Sequence, residues 1–579
     1  MTAPTQNAPA ARRSGTGALQ AEIAAIEQLL ATEGSAAPAA GARIQAAREC
    51  WPGELRPRLL QGGWLEASGQ AEAAAECYAT ACAEHPTSPW PALRLVDLLL
   101  QLRRAEPACR WFRERVWASK VPEPTRLRLL SQTTAALQDP AAREAHLRGL
   151  LRQDAEDRFP LSKLALLRFR QKDRAGADAL FAEAAALGPI TDEALQVQLE
   201  LHFAAARFAE AYATAQDLCA RHPQRVEYAR RAIQAALFLD RTEEAVALLE
   251  AALQRWPGDW LLLFRYNRCP LPGAADRALF AALSERRPAM AGQDRWLFQY
   301  ALASLRHEAA ADAVARVRPL VGSATTGHMA GPLDAALAAQ PLDCWSNPRG
   351  VSNACDDDVQ LFRQPGAVAT VILFSSVAGG LGYLPFGMAD GLLRQRPVHV
   401  LYLRDRNHRA FTSGVQGLGP DHAAMVAALR RMTQPLGVPV VTMGSSIAGV
   451  AAIRAAAAMP AKVAISFAGP VNLGQDMTEE EAAPAGAPSG TRAALFSHFT
   501  GAEADIVATL RAHPGLTVHQ CFGTGFEPDV AAARLLQPLP NAVLHPEPGC
   551  ADHFTIEHAI ASGNFFTILD AALAGAAAP

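Results

Sequence analysis

A chain of 579 residues exceeds one ordinary core and, at roughly 100–200 residues per domain, holds about three to four units unless repeats stretch them. Its residues are 50% hydrophobic and 19% charged, which excludes global disorder; a net charge of -3 leaves no basic excess for nucleic acid or an anionic membrane surface. Ten cysteines with no CxxC pair read as reduced thiols of a cytoplasmic protein, so neither disulfides, a metal site nor a cofactor is expected.

Residues 1–37 read as a tail and a leading helix. Arg12 and Arg13 have no apolar segment behind them, so no export signal is expected, and the apolar stretch Val450 to Ala468 is broken by Arg454, Pro460 and Lys462, so it is no membrane span. From residue 38 a repeat begins. The segments "SGQAEAAAECY", "LRRAEPACRWF", "LQDPAAREAHL", "QKDRAGADALF", "AARFAEAYATA" and "LDRTEEAVALL" each join a polar turn to a helix start. Their small residues Ala73, Ala108, Ala142, Ala177, Ala211 and Ala245 are spaced 35, 34, 35, 34 and 34 apart. Pro86, Pro189, Pro223 and Pro257 close units, the last three again 34 apart. That punctuation is helix, turn, helix, stop, the signature of stacked helical hairpins that cannot bury their apolar faces singly. Over roughly residues 38 to 260 it resembles tetratricopeptide repeats, with a degenerate aromatic and glycine pattern. The resemblance implies a concave face for a protein partner or for docking the second half. Helical patterning continues through "DRALFAALSERR" and "HEAAADAVARVRPLV" as capping hairpins, which sets the repeat domain at 38–325.

Residues 326–364 read as a linker, after which alternation replaces repetition. "AVATVILFSSV", "VHVLYLRD", "VPVVTMGSS", "KVAISFAG", "LTVHQCFG" and "NAVLHPEPG" read as strands, separated by "GMADGLLRQ", "DHAAMVAALRRMTQPL", "AGVAAIRAAAAM" and "DVAAARLLQ" as helices, with "FFTILDAALAG" as the last helix. Continuous apolar strands between amphipathic helices predict a mostly parallel sheet covered on both faces, with any ligand at the carboxyl ends of its strands. A less regular insertion runs from 470 to 515.

Several loops leaving those strands carry reactive groups. In "MGSSIAG" Ser446 has Gly444 and Ala448 two residues to either side, whereas Ser445 has the bulky Met443; a plain glycine turn whose serines cap a helix is the alternative. "FGTGFEPD" offers Glu527 and Asp529, and "GCADHF" offers His553, with His545 inside the preceding strand and His558 inside the following helix. "FSSVAGGLG" and "RDRNHRAF" end two further strands. No dinucleotide-type or GxxxxGK[ST] phosphate loop is present.

This order resembles the α/β-hydrolase superfamily from about residue 365 to the end. Alanine stands where the family has a second glycine, and with little before Ala367 reading as sheet, the family's first two antiparallel strands are expected to be missing. The resemblance implies a multidomain protein: an all-α solenoid, then an α/β-hydrolase-like domain at 365–579 with a lid at 470–515. It implies Ser446 as nucleophile, His553 as base, Asp529 as orienting acid with Glu527 as rival, and an oxyanion hole from the N–H groups of Ile447 and of Ser376 or Val377. Arg404, Asp405 and Arg409 are expected to bind a polar or anionic part of an acyl substrate, or Asp405 to orient either arginine. The function so implied is a serine hydrolase of esterase or acyl-hydrolase type, or an acyltransferase. The alternative is a non-catalytic scaffold carrying a hydrolase-like module.

Overall fold

In this computed structural model residues 16–472 and 505–578 are described. The chain forms two compact units, which divide between Val197 and Gln198.

The first unit is a run of paired helices, among them Leu55–Ala67 with Ala71–Glu84, Trp90–Gln101 with Ala105–Trp111, Glu123–Ala136 with Pro140–Leu151, and Arg158–Arg170 with Arg174–Ala186. The turn between the helices explains why the glycine pattern is faint. At Gly69, Arg103 and Lys172 the backbone is left-handed (φ 74°, 57° and 66°). The next N–H reaches back across the helix end, Gln70 to Leu65 O, Arg104 to Leu99 O and Asp173 to Arg168 O, the hydrogen bond that stops a helix at a left-handed residue. The conformation thus recurs where the glycine does not. Ala108 and Ala177 are fully buried at their helix starts. Ala73 and Ala142 are only half-buried, and in the first hairpin the neighbour Ala74 is the buried residue.

The second unit opens on the same hairpins, Phe208–Arg221, Val226–Phe238 and Thr242–Arg255, with left-handed Ala206 and Asp240 at the turns. Ala211 and Ala245 are fully buried there. Further helices follow to Gly327–Ala338. Residues 326–364, expected as a linker, hold that last helix, a short turn of helix Leu342–Trp345 and a strand, because Leu333, Leu337 and Trp345 are core residues rather than linker side chains.

A seven-stranded sheet completes the unit: β1 (Val359–Phe362), β2 (Ala369–Phe374), β5 (Val398–Leu403), β6 (Val440–Ser445), β7 (Val463–Phe467), β8 (Thr517–Gly523) and β9 (Ala542–Glu547), with β3 (Gly380–Leu381) and β4 (Leu384–Pro385) forming a separate two-stranded ribbon. The order is β1-β5-β2-β6-β7-β8-β9, parallel throughout except β1 against β5. One antiparallel strand therefore does precede Ala367; its half-buried edge position leaves it without the fully apolar run by which the inner strands are read.

Alternate residues of the inner strands face two cores. Val371 and Leu373 pack with Val400, Met443, Phe298 and Leu333, so the last helical hairpins close one face of the sheet. Ile372 and Phe374 pack with Leu401, Met425, Val450 and Ile453 on the other. At about 25 cal/mol per Å2 of apolar surface, two such layers supply the main stabilising term of the unit. The helix pair Thr555–Ser562 and Asn564–Ala577 is bent by 90°, and no single described helix is long and apolar enough to cross a membrane. The expected lid falls largely on residues 473–504, outside the described residues.

Candidate functional site

The chain leaves β2 for β5 on one side and returns to β6 on the other, so the carboxyl ends of β2 and β6 lie at the point where the strand order reverses. Loops diverge there and open a crevice in parallel sheets. Two of the expected segments sit at this point: Ser375–Gly380 after β2, and Ser446 immediately after β6.

Ser446 has φ 56° and ψ -132°, a region L-residues rarely occupy. Such strain is of order 1–3 kcal/mol and persists only where the surroundings enforce it. The enforcement is visible. Ser446 N–H donates to Phe467 O at 2.7 Å, continuing the β6–β7 ladder, while the helix Ile447–Ala458 starts at the next residue. A Cβ on Gly444 would lie 2.2 Å from Ala448 O, and one on Gly449 would lie 2.4 Å from Ser466 Oγ, so the turn closes only over small residues.

His553 and Asp529 approach this serine from other loops. His553 Nε2 lies 2.9 Å from Ser446 Oγ, and its Nδ1 lies 3.2 Å from Asp529 Oδ1. A carboxylate only accepts hydrogen bonds, so Asp529 holds the neutral imidazole with its proton on Nδ1 and leaves Nε2 to accept from the serine hydroxyl. Burial pulls the His553 imidazole down, but the hydrogen bond and charge of Asp529 outweigh it, and its pKa stands above the ordinary value. Asp529 is 5% exposed in the first turn of the helix Glu527–Leu536, whose N-cap is Phe526, and Asp529 Oδ2 accepts from Thr555 Oγ1 at 3.4 Å. Glu527, the rival acid, is turned outward to Arg534 at 2.7 Å. Among the other histidines, His545 pairs with His519 at 2.9 Å.

Of the expected oxyanion donors, Ile447 N–H is the first of its helix and has no intrahelical carbonyl to bond. Ser376 N–H is committed, donating to Gly380 O at 2.7 Å, because the loop folds back on itself before β3; Val377 is the candidate left.

The expected substrate residues are engaged elsewhere. Arg409 pairs with Asp240 of the helical hairpins. Asp405 accepts the backbone N–H of Phe411 at 3.1 Å, and its loop curls round it through left-handed His408, Ala410 and Phe411, so it orients neither Arg404 nor Arg409. Burial raises the Asp405 carboxyl to about 6 against those amides. Arg404 and Asp405 line a cavity, which Arg409 does not reach.

Two contacts at the site go beyond the sequence reading. Ser445 Oγ accepts from Gly382 N–H at 3.1 Å, and Glu557 Oε1 accepts from Tyr383 N–H at 2.8 Å. Tyr383 also stacks on Phe554, with ring centroids 5.1 Å apart. The signal available for Glu557 was a carboxylate one helical turn after His553 on the apolar face of "TIEHAIA". Cys550, Asp552 and His558 bring ligand atoms within 4.8 Å of one another. They do not read as a metal centre: burial raises the Cys550 thiol to about 11, and it donates to Asp552 O at 3.2 Å.

No protein-family model and no curated protein matches this chain. Among solved structures it is similar to Pseudomonas aeruginosa pilF (17% identity, 37% of this chain and 95% of that one, TM-score 0.25). It is likewise similar to a thermophilic tetratricopeptide repeat protein of Thermus thermophilus (18%, 38% and 99%, TM-score 0.16). A tetratricopeptide repeat protein from Parabacteroides merdae is a third (11%, 56% and 100%, TM-score 0.22). The chain itself is an array of paired helices followed by an α/β domain with a mostly parallel sheet.

Proposed function

We propose that this protein is a serine acyl-hydrolase of esterase type whose helical hairpins bind a protein partner. The observation that carries the reading is Ser446, held at positive φ at the strand-order reversal with its hydroxyl 2.9 Å from His553 Nε2. The strand order, the serine turn after β6, the acid after β8 and the histidine after β9 all support the α/β-hydrolase likeness.

In this reading Ser446 Oγ attacks the carbonyl carbon of an ester or thioester while its proton passes to His553 Nε2. Asp529 stabilises the resulting imidazolium, and the Ile447 and Val377 N–H groups face the oxyanion. His553 then gives the proton to the leaving alcohol or thiol as the carbonyl–heteroatom bond breaks, which leaves an acyl-serine. Water, deprotonated by the same nitrogen, releases the acid and restores the hydroxyl. An alcohol in place of that water makes the same site an acyltransferase.

Stacked hairpins present long surfaces for protein partners, which is the role proposed for the repeats. A fluorophosphonate label tests the catalytic half. Labelling of wild type that disappears in Ser446→Ala and falls steeply in His553→Gln supports it. Folded wild-type protein that takes no label overturns it, leaving a non-catalytic scaffold.

A further inference from the structure

Beside the Ser376–Gly379 loop, on the side of the helices that cover the sheet, lies a cavity of about 50 Å3. It has room for a few waters or one small polyatomic group. Its wall carries Arg268, Arg306, Arg404 and Arg406, with Asp276 and Asp405 the only carboxylates on it.

Two of these arginines are neutralised. Arg306 pairs with Asp276 at 3.4 Å and Arg406 with Asp358 at 3.0 Å. Asp405 gives its oxygens to the backbone of its own loop. Arg268 and Arg404 form no ion pair among the described residues, and Asp358, already paired with Arg406, acts on Arg404 only at longer range. The Arg268 guanidinium donates to Phe264 O at 3.2 Å, in the helix that Arg268 follows, and lies 3.5 Å from the Phe264 ring centroid. Arg404 is 5% exposed, donates to the carbonyls of Asn353 and Ser352 at 3.1 and 3.3 Å, and stacks over Phe386 at 4.9 Å; its Nε is buried with no hydrogen-bond partner. The neighbouring His408 does not supply a balancing charge, since burial and the arginine charges hold its imidazole down at about 4, uncharged at neutral pH.

Keeping a guanidinium out of water without a counter-charge costs several kcal/mol, and removing one partner of a buried pair is strongly destabilising for that reason. The flat fork of arginine matches the paired oxygens of a carboxylate or phosphate. Gly379, at φ 81°, also brings the loop against the site: a Cβ there would lie 3.6 Å from Arg404 Nη1. We infer that this cavity is a binding site for a small oxyanion, a carboxylate or phosphate group seated between Arg268 and Arg404. Because the Ser376–Gly379 loop forms both its wall and the flank of the serine turn, the substrate class that follows is an ester bearing an acidic group. That corollary rests on the hydrolase reading; the anion site does not.

Binding of inorganic phosphate to the full-length Ser446→Ala chain, followed by titration calorimetry at fixed ionic strength and pH 7, separates the two. The expected result is saturable one-to-one binding, weakened roughly tenfold or more by Arg268→Gln, the loss expected for one charged hydrogen bond. Arg404→Met removes the binding where circular dichroism reports a folded chain, and Arg409→Gln, whose side chain is tied to Asp240, leaves it unchanged. A second titration with monomethyl succinate distinguishes the source: tighter binding than phosphate assigns an oxyanion carried on an ester, weaker binding assigns a free ion. No saturable binding of either probe to the folded chain, or equal affinity in Arg268→Gln, overturns the inference. Neither outcome alters the fluorophosphonate result.

Discussion

Gly382 N–H donates to the buried Ser445 hydroxyl at 3.1 Å, so the residue beside Ser446 holds the loop that faces it. The next amide, Tyr383 N–H, donates to Glu557 on the histidine side. Two consecutive peptide groups thus tie the β2 loop to both halves of the site. Replacing Ser445 by alanine leaves Gly382 N–H without its partner, which costs about 1–3 kcal/mol. Ser445→Ala is therefore expected to unfold at lower denaturant and to react several-fold more slowly with a fluorophosphonate, although the Ser446 hydroxyl is intact. An unchanged labelling rate would show that the loop is held by other contacts.

Glu557 makes the second tie pH-dependent. Burial raises its carboxyl from 4.5 to about 7, with the Tyr383 amide opposing. A carboxyl whose folded pKa is raised contributes stability that is complete below its ordinary value and is lost as pH rises through about 7. Glu557→Gln, which resembles the protonated acid, is expected to match wild type near pH 5. Near pH 8 it should gain about 1–3 kcal/mol relative to wild type, at 1.36 kcal/mol per pKa unit. Urea titrations of both chains at the two pH values check this, and parallel curves would contradict it.

Gly444 and Gly575 predict opposite outcomes for the same substitution. A Cβ on Gly444 would meet Ala448 O at 2.2 Å and Gly449 N at 2.8 Å, both backbone atoms that cannot swing aside. Gly444→Ala is expected to cost about 1–3 kcal/mol or more through backbone displacement and to abolish labelling of Ser446. A Cβ on Gly575 would find Val463 Cγ2 at an ordinary 3.5 Å inside the helix Asn564–Ala577. Gly575→Ala should stabilise by roughly 0.5–1 kcal/mol, the helix preference of alanine over glycine. Thermal melts of the two variants give the comparison directly.

Much of this layout is legible in the sequence because its cause is local. The inner strands β2, β6 and β7 are mostly apolar, since both faces are buried, and each is readable from that run. Strand order then brought Ser446, Asp529 and His553 to neighbouring loops. The edge strand Val359–Phe362 is not legible in the sequence because half-burial gives it no such run. Left-handed turns at Arg103, Lys172, Ala206 and Asp240 hid because the backbone conformation outlasted the glycine that usually marks it. What sequence could not supply was side-chain direction. Arg409 and Arg404 leave the same loop, yet one turns to Asp240 and the other to a cavity, and only the packing of the helices above them decides which. The bulk of Met443 makes Ser445 the lesser candidate in the sequence, but its tie to Gly382 is not legible there, since that partner comes from a distant loop.

Asp276 anchors the helical side of that cavity. Its carboxyl is 5% exposed and takes Tyr266 Oη at 2.6 Å, His307 Nε2 at 3.1 Å and Arg306 Nη2 at 3.4 Å. Burial alone would raise its pKa, but Arg306, His307 and the Tyr266 hydroxyl outweigh burial and hold the carboxyl well below the usual range. A carboxyl with a depressed folded pKa contributes stability that is present above its ordinary value and disappears as pH falls below it. Asp276→Asn keeps the shape but leaves Arg306 as an uncompensated buried cation, so a loss of about 3–5 kcal/mol is expected at pH 7. The loss should shrink as pH falls past the ordinary carboxyl range, where proton uptake by the unfolded chain withdraws the advantage of the wild type. Removing both charges, in Asp276→Asn with Arg306→Met, should cost less than Asp276→Asn alone, because no unpaired cation remains. A double-mutant cycle by urea denaturation reads this sign, and a double variant weaker than the single one would mean that Arg306 is stabilised by its packing over Tyr266 rather than by the carboxylate.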